Sequence, residues 1–134
     1  MNMFKSIAAK VQPTTKAQGD EAEAMALRHL LRHGLMLVAQ NFKTPGRGGG
    51  EIDLIMREPD GTLVFVEVRR RKLTSHGGAA GSVTGLKQRR IIFAAQHFLM
   101  RVPRTPPCRF DVITLEGEGS ETHLSWLKAA FDAS

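Results

Sequence analysis

The sequence feature that most constrains the fold is a pair of apolar segments, 50–56 and 64–69, joined by Pro-Asp-Gly at 59–61. Proline holds φ at about −65° and glycine accepts a left-handed conformation, which is typical of a three-residue hairpin loop closed by a bulge. With this loop Glu58 pairs with Thr62, and the register of both strands follows. A slip of one residue would scramble the apolar pattern, so the pattern itself supports this register.

In this register two carboxylates face each other across the hairpin. Counting back from the turn, Asp53 meets Glu67, and Glu51 meets Arg69. The other face of the hairpin is apolar throughout and is therefore expected to belong to a core. Its predicted pairs are Met56 with Val64, Leu54 with Val66, and Ile52 with Val68.

Opposed like charges require compensation. They cost up to ~1 kcal/mol at an exposed site of an antiparallel pair, and more where the pair is desolvated. One source of compensation is Arg69; another is a divalent cation, since Mg²⁺ commonly binds through one or two carboxylates together with water and phosphate oxygens. Alternatively, the hairpin face is solvated, and Arg69, Arg57 and Glu51 form ordinary ion pairs. The residue pattern leaves both interpretations open.

Composition limits the class of protein. The 134 residues suffice for one domain with a core, and the net charge of +6 favours polyanionic partners. The single cysteine, Cys108, excludes an internal disulfide framework and a cysteine-based zinc site. No apolar run approaches the roughly 20 residues that span a membrane, and residues 1–18 lack a signal-peptide pattern. We therefore expect a cytoplasmic protein without a membrane segment.

The order of predicted elements indicates the fold class. A basic, flexible tail is predicted over residues 1–18 and a single domain over residues 19–134. Helices are expected at 20–33 and 84–101, and strands at 35–42, at both hairpin segments, at 108–115 and, as a short edge strand, at 122–126. Residues 127–131 are expected to form a helical turn or coil. This helix-β-β-β-helix-β order predicts an α/β fold with a mixed central sheet flanked by helices.

Five separated segments, in order, resemble the uncharacterised bacterial YraN-type family: Gly19–Leu30, 50–55, 65–69, Lys87-Gln88 and 108–112. The central Asp followed by Glu-x-basic is similar to the signature of the restriction-endonuclease-like (PD-(D/E)xK) superfamily, which also contains archaeal Holliday-junction resolvases. The resemblance implies a restriction-endonuclease-like core. In the resolvases a helix Glu, a strand Asp and a strand Glu bind the metal. By position these correspond to Glu23, Asp53 and Glu67, and the backbone carbonyl of Val68 would complete the protein ligands.

The resemblance implies a metal-dependent endonuclease that uses Mg²⁺ or Mn²⁺ and acts on DNA, including branched DNA. It also implies a homodimer, since related nucleases often work as dimers. One residue departs from the signature, because Arg69 stands where the signature has lysine. Arginine cannot act as a general base, although it can neutralise charge developing on phosphate. A non-catalytic nucleic-acid-binding or scaffold module on the same fold is therefore the alternative.

Two further acidic residues have both functional and structural interpretations. Asp20 followed by Glu23 matches a capping box, so Glu23 could serve the helix start instead of a metal. Glu51 could orient a metal-bound water or contact Arg69. The sequence does not decide between these roles.

Basic and polar side chains near the predicted site are candidates for phosphate contacts. Such contacts position DNA without specifying its sequence, and they make the affinity fall with salt. These candidates are Arg47, Arg70, Arg71, Lys72, Lys87, Gln88 and Arg89. Asp111, in contrast, is expected to be structural, as an ion pair with Arg109.

Overall fold

The computed structural model describes residues 14–71 and 83–133. A short 3₁₀ turn, Gly119–Glu121, precedes the last strand. The elements are α1 (Thr15–Arg32), β1 (Met36–Lys43), β2 (Glu51–Arg57), β3 (Leu63–Arg71), α2 (Gly85–Leu99), β4 (Cys108–Glu116) and β5 (His123–Phe131). The predicted α/β class is confirmed.

The five strands form one mixed sheet in the order β1-β2-β3-β4-β5. Only β3 and β4 are parallel among these neighbours, and α2 lies in the connection between them, because parallel neighbours require a crossover. Leu54 packs in a cluster with residues of α1, while the adjacent Ile55 packs in a cluster with residues of α2. The two helices therefore cover opposite faces of the sheet. No helix within the described ranges has the length and apolar character needed to cross a bilayer.

The hairpin of β2 and β3 has the predicted register. Glu58 N–H donates to the Thr62 carbonyl at 2.9 Å, and Gly61 has a φ of +94°. The strand pairs run from Arg57–Leu63 through Met56–Val64 and Ile55–Phe65 to Leu54–Val66. The ladder thus ends one position before the two carboxylates, and the strands open at the point where the carboxylates lie.

Ile52 faces the opposite side of the sheet from the one predicted. Alternation places Ile52 with Leu54, but Ile52 packs in the α2 cluster. Both neighbours, Ile52 and Asp53, are buried. Strict alternation therefore fails at Asp53, just beyond the end of the hairpin ladder.

Helix α1 begins earlier than predicted. Thr14 is its N-cap, and the Thr14 Oγ1 accepts a hydrogen bond from Ala17 N–H at 3.0 Å. Asp20 lies inside the helix and pairs with Lys16 at 2.9 Å. The predicted capping box at Asp20 is therefore wrong, because threonine already supplies the cap oxygen. The predicted tail also extends too far, since its last residues are helical.

The chain end also differs from its prediction. β5 continues to Phe131 instead of ending near residue 126. A register shift lies between Phe110 and Val112, and Ala129 opposite it has a φ of +51°. Ala129 N–H donates to Asp111 Oδ1 at 2.9 Å. The carboxylate of β4 therefore supplies an acceptor that lets the strand continue through an irregular residue.

Gly50 allows β2 to begin against α2. A β-carbon at Gly50 would collide with the Arg90 carbonyl of α2. Gly50 N–H donates to Thr44 Oγ1 at 2.7 Å, which closes the glycine-rich loop between β1 and β2. The requirement for glycine here arises from close backbone approach.

Candidate functional site

Asp53 and Glu67 lie side by side where β2 and β3 separate. Their residues are 9% and 4% exposed, respectively, and hydrogen bonding between the two carboxyl groups lowers the pKa of Asp53 and raises the pKa of Glu67. Val68 N–H donates to Asp53 Oδ2 at 2.8 Å. The Asp53 carboxylate thus accepts a backbone hydrogen bond of β3 at the position where the ladder has ended.

The environment of the pair favours the protonated form. Burial is the main cause that raises the pKa of Asp53, and the Val68 N–H opposes it. Burial, followed by repulsion from Asp53, raises the pKa of Glu67 to about 8. The two carboxyl groups as a pair therefore hold a proton to higher pH than separate, solvated carboxyl groups would.

Two cations approach Glu67 without reaching hydrogen-bond distance. Lys87 Nζ, from the first turn of α2, lies 3.6 Å from Glu67 Oε2. Arg69 Nη1 lies 3.7 Å from the same oxygen. Both distances exceed the roughly 3.2 Å limit of a good hydrogen bond. Within residues 14–71 and 83–133, the compensation of the pair is therefore electrostatic and incomplete, and it comes from two elements instead of one.

Two other predictions for the charged residues of the hairpin, a contact between Glu51 and Arg69 and a solvated face, differ from the structure. Glu51 pairs with Lys43 at 3.5 Å, whereas Arg69 reaches Glu67. The expected contact between Glu51 and Arg69 is therefore replaced by two separate pairs. Because Asp53 and Glu67 are buried, the interpretation of a solvated hairpin face is wrong for these two residues.

Glu23 lies nearby on α1 and is half-buried. Burial, followed by the charge of Asp53, raises the pKa of Glu23, and a hydrogen bond with Asn41 opposes this. Asn41 has a φ of +50° in strand β1. Asn41 is not among the site residues predicted from the sequence. Asparagine is enriched at left-handed positions, but that preference alone does not reveal a contact with Glu23.

An open groove of about 360 Å³ adjoins Glu23. It lies beside the N-terminal half of α1 and the neighbouring ends of β1 and β2. Its lining residues are Lys16, Gly19, Asp20, Glu23, Asn41, Lys43 and Glu51. The groove carries both signs of charge. The charge of Glu51 raises the pKa of the nearby Asp53, and the charge of Asp53 raises the pKa of Glu23.

The donor set for a metal is small. Among residues 14–71 and 83–133, no three His, Cys, Asp or Glu side chains come together closely enough to hold an ion. Asp53 and Glu67 could still hold Mg²⁺ or Mn²⁺, since Mg²⁺ commonly uses one or two carboxylates and completes its shell with water. Glu23 does not join them in such a group, and the carbonyl of Val68 as a ligand stays a prediction.

The side chains predicted to contact phosphate differ in burial and in their partners. Arg70 Nη2 donates to the Gly117 carbonyl at 3.3 Å, and Gln88 Nε2 donates to the Val83 carbonyl at 3.1 Å. These two are held by the fold. The remaining candidates are Lys87 beside Glu67, exposed Arg47 and Arg89, half-buried Arg71, and Lys72, which lies outside the described residues.

Another buried carboxylate, that of Asp111 in β4, accepts hydrogen bonds from donors on three residues. Arg109 Nε donates to its two oxygens at 3.0 and 3.2 Å, Trp126 Nε1 at 2.9 Å and Ala129 N–H at 2.9 Å. Arg109 also reaches Glu58 at 2.6 Å. The predicted structural role of Asp111, with Arg109 as its partner, is confirmed.

Comparisons with known proteins agree on one family. The model of the family described as "Uncharacterised protein family UPF0102" matches residues 22–115, from α1 through most of β4. A UPF0102 protein of Polaromonas naphthalenivorans is 58% identical over 128 residues, covering 92% of this chain and 84% of the relative. A UPF0102 protein of Albidiferax ferrireducens is 63% identical over 120 residues, covering 90% and 91%. The chain therefore belongs to the UPF0102 family, which confirms the YraN-type resemblance.

Proposed function

We propose that this chain is a metal-dependent, endonuclease-like protein that binds DNA and hydrolyses phosphodiester bonds, including those of branched DNA, on a restriction-endonuclease-like core. The observation that carries this proposal is the burial of Asp53 and Glu67 side by side, with Lys87 Nζ and Arg69 Nη1 at 3.6 and 3.7 Å from Glu67 Oε2. Two adjacent carboxylates that no cation of the described residues contacts at hydrogen-bond distance form a site that a divalent ion would stabilise.

The residues around the pair have distinct roles in this proposal. Asp53 and Glu67 would hold Mg²⁺ or Mn²⁺, which supplies activation of water and neutralisation of charge on phosphate. Arg69 and Lys87 both lie within 4 Å of Glu67 Oε2, where their positive charge would stabilise a phosphate oxyanion. Glu23, from α1, would act from the rim through its charge.

DNA is the proposed partner. A net charge of +6 favours a polyanion, and exposed Arg47 and Arg89 are suited to phosphate contacts that set orientation.

A homodimer is proposed from the resemblance to dimeric nucleases, and a reducing cytoplasm is proposed because Cys108, the sole cysteine, is exposed and unpaired. Sedimentation and cell fractionation test these two points.

A second candidate function is a nucleic-acid-binding or scaffold module without catalysis. Arg69 favours it, because a guanidinium cannot take up a proton from water. The pairing of Asp53 with Glu67 alone, without a third close carboxylate in the described residues, also favours it. Such a module would use the same basic side chains but would not need the ion.

Cleavage assays separate the two functions. Linear and branched DNA are incubated with Mg²⁺ or Mn²⁺ and either the wild type, Asp53→Asn or Glu67→Gln, with the exposed Glu121→Gln as the matched control. We expect each site variant to lose at least about 100-fold in rate, since loss of a metal ligand removes the main source of charge stabilisation. The control should retain full activity.

Two other outcomes would decide against the nuclease. Activity that survives both site substitutions would indicate a contaminant or a different site. If cleavage is absent while salt-dependent DNA binding is unaffected or strengthened by Asp53→Asn, the binding module is the correct function.

A further inference from the structure

Lys87 is the cation of α2 that approaches the carboxylate pair of the sheet. Thr84 caps α2, and Lys87 N–H donates to Thr84 Oγ1 at 3.1 Å. This contact fixes the first turn of α2. The half-buried Lys87 ammonium then lies 3.6 Å from Glu67 Oε2. The fold therefore holds a positive charge against a buried acid on a neighbouring element.

Lys87 and Arg69 differ in how they act on the pair. The charge of Lys87 is among the main influences that lower the pKa of both Asp53 and Glu67. Arg69 appears among the main influences for Glu67. A lysine also carries a compact ammonium on a flexible four-carbon stem, so it can change partner with less rearrangement than a guanidinium fork.

We propose that Lys87 is an exchangeable counter-ion, which neutralises the Asp53–Glu67 pair of the metal-free protein and binds a DNA phosphate when a divalent cation occupies that pair. This inference rests on the proposed function and adds regulation of the same site. An ammonium 3.6 Å from Glu67 Oε2 competes with any cation that Glu67 holds. Once that carboxylate is neutralised otherwise, phosphate is the anion that best matches a lysine at the rim.

The exchange makes metal binding and DNA binding mutually dependent. Metal would strengthen DNA binding because it makes Lys87 available, and DNA would strengthen metal binding by the same factor. Removal of the Lys87 charge should have opposite effects on the two ligands. The site would bind metal more tightly without DNA, and metal would strengthen DNA binding less, because only the direct attraction between the ion and phosphate would remain.

Equilibrium binding tests this directly without any catalytic readout. Mn²⁺ binding is measured by calorimetry, and binding of a hydrolysis-resistant phosphorothioate duplex is measured by fluorescence anisotropy with and without Mn²⁺. The variants are Lys87→Met, Lys87→Gln and Lys87→Arg. The matched control, Lys128→Met, removes the same charge from β5, where Lys128 lies over the Trp126 ring.

For the wild type and Lys128→Met we expect Mn²⁺ to strengthen DNA binding about tenfold, within the usual range of coupling between sites. For Lys87→Met and Lys87→Gln we expect Mn²⁺ to strengthen DNA binding by about threefold or less, since the direct attraction between ion and phosphate remains. We also expect three- to tenfold tighter Mn²⁺ binding without DNA, as removal of a nearby like charge predicts. Lys87→Arg should retain most of the coupling.

Results that contradict the Lys87 exchange can be told apart from results that contradict the proposed metal site. Full coupling in Lys87→Met, or unchanged Mn²⁺ affinity in both neutral variants, would overturn the exchange while leaving the proposed metal site intact. Absence of Mn²⁺ binding in the wild type would overturn the proposed metal-dependent function and the exchange together.

Discussion

The sheet buries acidic side chains in two places, and it treats them differently. Asp111 receives four hydrogen-bond contacts of 2.9–3.2 Å from Arg109, Trp126 and Ala129. Glu67, in contrast, lies 3.6 Å from Lys87 and 3.7 Å from Arg69, and the neighbouring acid Asp53 raises its pKa. Burial of charge is common to both regions. The difference lies in whether the protein itself completes the compensation.

The position in the sheet accounts for this difference. Asp111 lies on β4 with paired strands on both sides, and the irregularity in β5 brings Ala129 N–H to its carboxylate. Asp53 lies where the β2–β3 ladder has ended. There Asp53 accepts a hydrogen bond from Val68 N–H instead of pairing with Glu67 in the ladder. A complete set of donors suits a structural role, whereas the smaller set around Asp53 and Glu67 is what the proposed cation site requires.

The largest expected effect is from Asp111→Asn. The substitution removes the charge and places an amide donor against existing donors, so we expect the free energy of unfolding to fall by about 3–5 kcal/mol. Urea unfolding of the metal-free protein measures it. A loss below about 1 kcal/mol would mean that the hydrogen bonds to Asp111 do not stabilise the fold more than the contacts of the Asp53–Glu67 pair do.

The second effect is the pH dependence of stability contributed by Glu67. Unfolded glutamate has a pKa of 4.5, whereas the pKa of Glu67 in the folded protein is about 8. The folded state therefore holds this proton more tightly. Its contribution to stability is fully present below pH 4.5 and is lost as the pH rises towards 8, with a slope of at most about 1.4 kcal/mol per pH unit.

Glu67→Gln provides the matched variant for this pH dependence. The amide resembles the protonated acid and does not titrate, so the variant should be as stable as the wild type near pH 5 and more stable near pH 8. Urea unfolding across this range measures the difference between the two proteins. A difference that does not change with pH would contradict a raised Glu67 pKa.

A smaller effect is expected from Asp53→Asn in the metal-free protein. The amide oxygen can still accept from Val68 N–H, while the repulsion with Glu67 disappears. We expect the free energy of unfolding to stay the same or to rise by up to about 1 kcal/mol. Thermal melting without metal checks this, with Glu121→Gln as control. A clear drop in melting temperature would show that Asp53 is a structural ion-pair partner, like Asp111.

The smallest effect is expected from Glu23→Gln, which tests where the incompletely compensated site ends. Glu23 is half-buried and contacts Asn41. We expect a change of less than about 0.5 kcal/mol in the free energy of unfolding, as for most surface substitutions. The pH dependence from Glu67 should also be unchanged. If Glu23→Gln changed the pH dependence of the free energy of unfolding as strongly as Glu67→Gln does, Glu23 on α1 would belong to the same site.

Local features were predictable from the sequence, and contacts between distant elements were not. The register of β2 and β3 follows from the turn at 59–61 and from apolar alternation, both of which act over a few residues. The start of α1 was misplaced because Thr14 and Asp20 are both good caps, and the choice depends on packing. The last residues of β5 depend on Asp111, which is 18 residues away from Ala129.

In the candidate site, too, local pairing was predictable from the sequence and contacts between distant elements were not. Opposition of Asp53 and Glu67 follows from the hairpin register, so a single sequence was enough to pair them. The approach of Lys87 to Glu67 depends on how α2 crosses the sheet, and the contact of Asn41 with Glu23 depends on how α1 packs on β1. Periodicity in the sequence indicates which residues are buried, but not which polar side chains meet.

Calorimetric titration of Mn²⁺ into the metal-free protein at pH 7 tests the central claim most directly. The incompletely compensated pair predicts about one ion per chain, with release of a proton from Glu67 that makes the heat depend on the buffer. Asp53→Asn should abolish this binding, whereas Glu121→Gln should retain it. Absence of binding to the wild type, or equal binding to Asp53→Asn, would contradict the claim that these carboxylates form a cation site.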